Sequence, residues 1–363
     1  MSITFVVGTG RCGSTMLSRA LQAHPDVLSM NEFFTSVACR GTLGFGDRQV
    51  DGREFWAVLG GPVRPLDAIA ASAYPMPELL YPYGSGRFRP ETGVPTVSHM
   101  TLPALTDTPD ALYDALADAV SGWPSRTLPD QYRALFADLR RRENTSVVVE
   151  RSGASLAFLP ALRAMFPEAR FVHLSRSGPD VALSMSRHIG FRALLLRTEA
   201  MALLGLASPF ELGPEHVRLL PDHLAHLADD VDCDLVMRSP IPLAAFGAFW
   251  SRLVVRGVEE LAHVPADRRM SLSYEEILDD PEGQFARLAA FAGADPHPGW
   301  LRGAAASVLR TDRPPVTDPD TLTACEPGTR ALAHQATLFA DTADTADTAG
   351  AVDTADAVPA ATR

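Results

Sequence analysis

The chain reads as an α/β protein built on a parallel β-sheet flanked by helices on both faces. Three observations predict this. Short apolar runs recur without polar alternation, as in residues 3–7 (ITFVV) and 146–150 (SVVVE), the pattern of strands buried on both faces. Stretches with helical spacing follow those runs, so strand and helix alternate. The first run also enters a glycine-rich turn, GTGRCG, directly before a helix-like segment.

Taken in order, residues 3–7 predict a first strand and Ser14 to Ala23 a helix, which His24-Pro25 ends because proline disfavours helical geometry in the residue before it. Val27 to Met30 reads as a second strand. Residues 40–105 are rich in Gly, Pro and aromatics with no clear period, as expected of loops and short helices covering a site. Residues 108–142 read as helical, with Leu112, Leu116, Ala119 and Val120 on one face. Residues 146–150 and Arg170 to Leu174 read as strands, each followed by a helix, Leu156 to Phe166 and Asp180 to His188. Residues 192–265 read as mostly helical, Met270 to Leu272 as a last strand and Glu282 to Ala292 as a helix. From Asp341 the chain repeats Asp-Thr-Ala with few large apolar residues, so residues 341–363 are expected to be a disordered tail. The remainder, 1–340, is expected to be one domain with an insertion at about 41–145.

Composition bounds the function. Among 363 residues, 46% are hydrophobic and 21% charged, ordinary for a globular chain. A formal net charge of -12 argues against nucleic acid or an anionic membrane as main partner. All 32 basic residues are arginine. No apolar run is long enough to span a bilayer, and the N-terminal residues lack the marks of a signal peptide. The cysteines Cys12, Cys39, Cys233 and Cys325 form no C-x-x-C pair and no zinc spacing. A cytoplasmic protein with free thiols and no metal is expected; a homodimer is left open.

Residues 8–15, GTGRCGST, have the spacing of a P-loop: Gly8, four residues, Gly13, then Ser14-Thr15. Such a loop wraps backbone N–H groups around phosphate, and the helix N-terminus adds its dipole. The lysine that reaches β- and γ-phosphates in nucleotidases is replaced by Ser14. The one cation inside the loop is Arg11, whose guanidinium can fork onto the oxygens of a terminal anion. The bland alternative is a tight turn with no ligand. Cys12 invites a nucleophile reading, against that of a small residue in a tight loop. Further on, FVHLSRSGPDVALS places Arg176 at the end of a strand and Ser184 two turns into the next helix. Ligands in open parallel sheets bind at that edge, so the two can converge on one phosphate. Asp180 is expected near the start of that helix.

Together, GTGRCGSTML and RSGPDVALS resemble the two signatures by which sulfotransferases bind 3′-phosphoadenosine 5′-phosphosulfate (PAPS), in the R-x-G-S-T form of bacterial and carbohydrate-type members. The block from Val147 to Arg176 and the segment SLSYEEILDDP are similar to further parts of that family. The resemblance covers residues 3–35, 145–190 and 270–293. It implies a PAPS-dependent sulfotransferase, yielding 3′-phosphoadenosine 5′-phosphate and acting on a small-molecule or carbohydrate acceptor under the cover at 41–145. By it, Thr9, Gly10, Arg11, Cys12, Gly13, Ser14 and Thr15 surround the 5′-phosphosulfate, Arg176 and Ser184 hold the 3′-phosphate, and Tyr274 borders the adenine. The basic residue that the family places near its C-terminus has no clear match; Arg310 and Arg313 are candidates.

Sulfuryl transfer to a hydroxyl needs a positioned base. In similar bacterial enzymes a glutamate after the second strand is the proposed base, which points to Glu32; the competing reading is a loop carboxylate paired with an arginine. The cytosolic branch uses histidine, which keeps His99 and, more weakly, His188 in view. Arg11, Glu32 and His99 are thus the candidate catalytic residues, with Arg11 and Glu32 expected close together. His173 lies within a strand and reads as a core histidine. Glu150-Arg151 reads as either acceptor-side residues or an ion pair. Two other classes stay open: an ATP-dependent small-molecule kinase with a degenerate phosphate loop, and a non-catalytic nucleotide-binding protein.

Overall fold

The computed structural model describes residues 3–74, 76–206, 211–228, 231–310 and 314–349. Each expected strand forms: β1 (Ile3–Gly8), β2 (Val27–Asn31), β3 (Val147–Arg151), β4 (Arg170–Ser175) and β5 (Arg269–Ser273). All pair in parallel, in the order β2-β3-β1-β4-β5. The reason is visible in β1. Ile3, Phe5 and Val7 enter one apolar cluster, while Val6 enters another together with Val147, Val149, Val172 and Leu174. Successive side chains point to opposite faces, so a strand with apolar residues on both faces needs cover on both. Phe5 makes the first face aromatic, packing on Phe34, Phe166 and Phe171 with ring centroids 5.2–5.8 Å apart.

The helices that matter for the site are α1 (Ser14–Gln22), α2 (Phe33–Ala38), α3 (Gly178–Ser186), α4 (Ile189–Leu204), α5 (Leu243–Ala262), α6 (Tyr274–Asp279), α7 (Pro281–Ala292) and α8 (Pro319–Ala349). Buried residues of α1 and α7 fill the cluster around Val6, while α3 and α5 pack on the Phe5 face. Trp250 of α5 lies against Gly178 and Gly328. A Cβ on either glycine would come within 2.5 Å of the indole, so both helices approach α5 more closely than a side chain would allow.

Local chemistry explains where the elements depart from the expected ones. The helical stretch 108–142 is two helices, Pro109–Ser121 and Leu128–Arg142. Gly122 and Pro124 break it, and Arg126–Thr127 pairs antiparallel with Gln49–Val50. The segment after β3 is a 3₁₀ turn, Ser155–Ala157, and a shorter helix, Leu159–Met165, with proline in its first turn. Helix α6 was not expected; Ser273 and Glu276 form a capping box that starts it straight from β5. Of the expected tail, Asp341 to Ala349 are described as the end of α8; residues 350–363 lie outside the described residues.

The chain leaves β1 towards β2 and β3, then crosses back to β4 on the other side. The loops after β1 and β4 therefore diverge from neighbouring strand ends, which makes the crevice between them the switch point of the sheet.

Candidate functional site

The loop after β1 is held open by unusual backbone. Gly10, Arg11 and Gly13 have φ of 74°, 59° and 90°, values that cost a side-chain-bearing residue such as Arg11 about 1–2 kcal/mol. Gly8 N–H donates to Ser155 Oγ at 3.1 Å, and the buried Thr9 donates its hydroxyl to Gly10 O at 3.0 Å. Gly13 is the N-cap of α1 and supplies no side-chain cap, so the helix presents its positive end to the loop uncapped. Ser14 and Thr15 open that helix and are half-buried. Cys12 is buried, and burial pushes its thiol up to about 11. That is the opposite of an activated thiolate and supports the packing reading.

The second motif comes to the first. Arg11 Nε donates to Ser184 Oγ at 3.1 Å, across 173 residues of sequence. Arg176, just past the end of β4, donates from Nη1 to Arg11 O at 3.4 Å. Its guanidinium lies 4.4 Å from the centroid of Tyr274, the first residue of α6, a favourable cation–π contact. Tyr274 in turn covers Gly13: a Cβ there would sit 2.3 Å from its ring. Asp180 stands in the first turn of α3, as expected, 3.9 Å from Arg176. Arg176 Nε is buried with no hydrogen-bond partner. Two guanidinium groups, an uncapped helix N-terminus, a serine hydroxyl and an aromatic face thus meet at the carboxyl edge of β1 and β4. Arg310 instead donates to Leu278 O and Asp279 at the far end of α6; Arg313 lies outside the described residues.

Glu32 departs from expectation. It is the N-cap of α2, at φ 53°. Its carboxylate is ion-paired with Arg151 and accepts from Thr35 Oγ1 at 2.5 Å and from Gly153 N–H at 2.8 Å. Its side chain is 4% exposed and that of Arg151 2%. The partner of Glu32 is therefore Arg151, and the arginine-paired reading describes what the structure holds. Arg11 is paired elsewhere, and no ion pair joins it to Glu32. Arg151 also donates to Ser18 Oγ at 2.6 Å and to Asn31 Oδ1, tying α1, β2 and β3 together behind the loop. Its neighbour Glu150 is buried, accepts from Ser152 Oγ at 2.5 Å and from Phe34 N–H at 3.2 Å, and burial raises its carboxyl to about 7.

His99 is fully buried. Its Nδ1 is 2.9 Å from Tyr83 OH and its Nε2 is 3.4 Å from Asp67, so a substrate would have to displace packed side chains to reach it. His173 is a core histidine: its Nδ1 is 2.7 Å from Gln335 Oε1 of α8, its Nε2 is buried without a hydrogen-bond partner, and burial drives it down to about 4. Of the aromatics in the cover, Phe55 and Tyr81 are buried and pack on other rings.

One site residue was absent from the expectations. Glu78, in the aperiodic cover, pairs with Arg11 Nη1 at 2.7 Å through Oε1 and with His188 Nε2 at 3.1 Å through Oε2. No local signal marks it: its partners lie 67 and 110 residues away. Burial pushes its carboxyl up, but the hydrogen bond and charge of His188 and the charge of Arg11 outweigh that and hold it at about 2. Among the described residues no cluster of three or more His, Cys, Asp or Glu could hold a metal ion, and no helix is long and apolar enough to cross a membrane.

No family model and no curated protein matches the chain. Among solved structures it is similar to the sulfotransferase domain from the curacin biosynthetic pathway, with 15% identity over 89% of this chain and 86% of that one and a TM-score of 0.43. It is also similar to the sulfotransferase domain from the Synechococcus PCC 7002 olefin synthase (17% identity, 90% and 94% covered, TM-score 0.41) and to a sulfotransferase from Alicyclobacillus acidocaldarius (17%, 93% and 96%, 0.38). These likenesses are low, and the functional reading rests on the residues.

Proposed function

We propose that the protein is a sulfotransferase that moves a sulfuryl group from PAPS to a hydroxyl of a small-molecule or carbohydrate acceptor. The observation that carries this is the meeting of Arg11, Ser184, Arg176 and Tyr274 at the switch point. Two motifs far apart in sequence, each suited to an anion, build one site with an aromatic face beside it. The residues fit such a donor. The loop Thr9 to Thr15 would receive the 5′-phosphosulfate at the N-terminus of α1, with Arg11 on the group being transferred. Arg176 and Ser184 would hold the 3′-phosphate, and Tyr274 would border the base. A fixed guanidinium at Arg11 would stabilise charge building on the departing phosphate. The kinase alternative is weaker, because the chain has no lysine to reach a triphosphate. Burial and existing partners count against both Glu32 and His99 as the base.

Calorimetry with adenosine 3′,5′-bisphosphate, 5′-AMP and ATP with magnesium tests the donor. The bisphosphate should bind at least tenfold more tightly than either of the others. Equal affinity for bisphosphate and 5′-AMP would remove the 3′-phosphate site, and preference for ATP with magnesium would favour the kinase. Transfer of labelled sulfuryl from PAPS to a panel of phenols, sugars and aliphatic alcohols then separates an enzyme from a binding protein.

A further inference from the structure

Arg11 is the loop's one cation, and the anion on it in the structure is a side chain of the protein. Glu78 places Oε1 2.7 Å from Arg11 Nη1, while its other oxygen meets His188 Nε2 at 3.1 Å. The three groups are half-buried, with side-chain exposure of 25% for Arg11, 13% for Glu78 and 10% for His188. Arg11 Nε is already committed to Ser184, so a terminal anion of a ligand and the Glu78 carboxylate compete for the same end of the guanidinium. Two like charges cannot share that place at low cost in a partly desolvated site. Glu32 differs in kind: three donors from Arg151, Thr35 and Gly153 hold it, and none of them belongs to the loop. Glu78 has a partner that a ligand would take, and a second, His188, that would stay. His188 Nδ1 is buried without a hydrogen-bond partner, so the imidazole's engagement with polar groups is through Glu78.

We propose that the donor's sulfuryl group displaces Glu78 from Arg11, and that the carboxylate so released, still held by His188, takes the acceptor's proton. This rests on the PAPS reading above. The step balances without another reactant. The acceptor oxygen forms the new O–S bond. The S–O bond to the bridging phosphate oxygen breaks, and its electron pair leaves with adenosine 3′,5′-bisphosphate. The acceptor's O–H proton passes to Glu78. The exchange also explains how one carboxylate can be a poor base before donor binding and a better one after it: while Arg11 and His188 both hold it, it stays ionised and weakly basic, and transfer of Arg11 to the sulfuryl oxygens removes the guanidinium from it.

The test compares wild type with Glu78→Gln and Glu78→Asp in two measurements: affinity for PAPS by calorimetry, and single-turnover release of inorganic sulfate from PAPS with water as acceptor. Glu78→Gln should bind PAPS about tenfold more tightly, because the competing anion is gone, and should release sulfate ~10²–10⁴-fold more slowly, the usual weight of a general base. Glu78→Asp should recover part of the rate. A variant that merely misfolds loses both binding and rate, so the opposite signs are diagnostic. Unchanged or weaker PAPS affinity in Glu78→Gln, or a wild-type rate, overturns the inference while leaving the donor assignment standing. Failure of the wild type to bind adenosine 3′,5′-bisphosphate removes the donor assignment, and the inference with it.

Discussion

Replacing Arg151 with methionine should destabilise the protein by about 3–5 kcal/mol, the cost of leaving one partner of a buried ion pair uncompensated. The structure puts Arg151 near the upper end of that range. Its side chain is 2% exposed, and it serves Glu32, Ser18 and Asn31 at once. Without it, the Glu32 carboxylate keeps only the Thr35 hydroxyl and the Gly153 N–H, two neutral donors for a buried charge. Glu32→Gln keeps the shape but strands the guanidinium, and should cost a comparable amount. Together the two substitutions remove both charges, so the double variant should be more stable than the sum of the single losses by about 0.5–3 kcal/mol. Urea unfolding with a common m value is the assay. A loss under about 1 kcal/mol for Arg151→Met, or strict additivity, would refute the reasoning. The same cycle separates two roles for Glu32. A base would lose turnover on Glu32→Gln with stability intact, whereas an ion-pair partner loses stability.

Three further outcomes follow from the geometry. Arg176→Ala should weaken adenosine 3′,5′-bisphosphate binding by about 1.5–3 kcal/mol and leave 5′-AMP binding nearly unchanged, since hydrogen bonds to charged groups fall in that range; calorimetry showing equal losses for both nucleotides would reassign Arg176. Gly13→Ala should weaken bisphosphate binding at least tenfold, because φ there is 90° and the new Cβ would meet the Tyr274 ring at 2.3 Å; wild-type affinity would show that the ring moves freely. Glu150 titrates at about 7 in the folded protein against an ordinary 4.5, raised by burial. The folded state therefore keeps a proton that the unfolded state has lost, and the group's contribution to stability is full below the ordinary value and falls as pH rises towards 7. The stability of Glu150→Gln relative to wild type should accordingly grow across that window in urea melts, and a difference flat in pH would contradict the raised carboxyl.

The layered sheet was legible because its signals are local. Phe5–Val7, Val147–Val149 and Phe171–Val172 are runs of consecutive buried apolar residues within their strands, and only cover on both faces accommodates that. The glycine-rich loop was legible for the same reason: Gly10 and Gly13 stand where φ is positive. Helix α6 carries a local sign in Ser273 and Glu276, three residues apart, whose capping box starts it. The break at Gly122 and Pro124 was also written locally, and the apolar periodicity on either side of it masked it.

By itself the sequence determined the fold class, the strand positions and the two anion-suited motifs, since backbone preference and hydrophobic period act over a few residues. The pairing of charges was decided only in the tertiary structure. Arg11 meets Glu78 and Ser184, Glu32 meets Arg151, and His99 meets Tyr83 and Asp67. Each carboxylate had several arginines available along the chain, and nothing local distinguishes them. Which pair forms depends on which side chains the parallel pairing of the strands and the packing of the cover bring together, as Asn31 opposite Arg151 does for Glu32, and on which of them burial forces to find a partner.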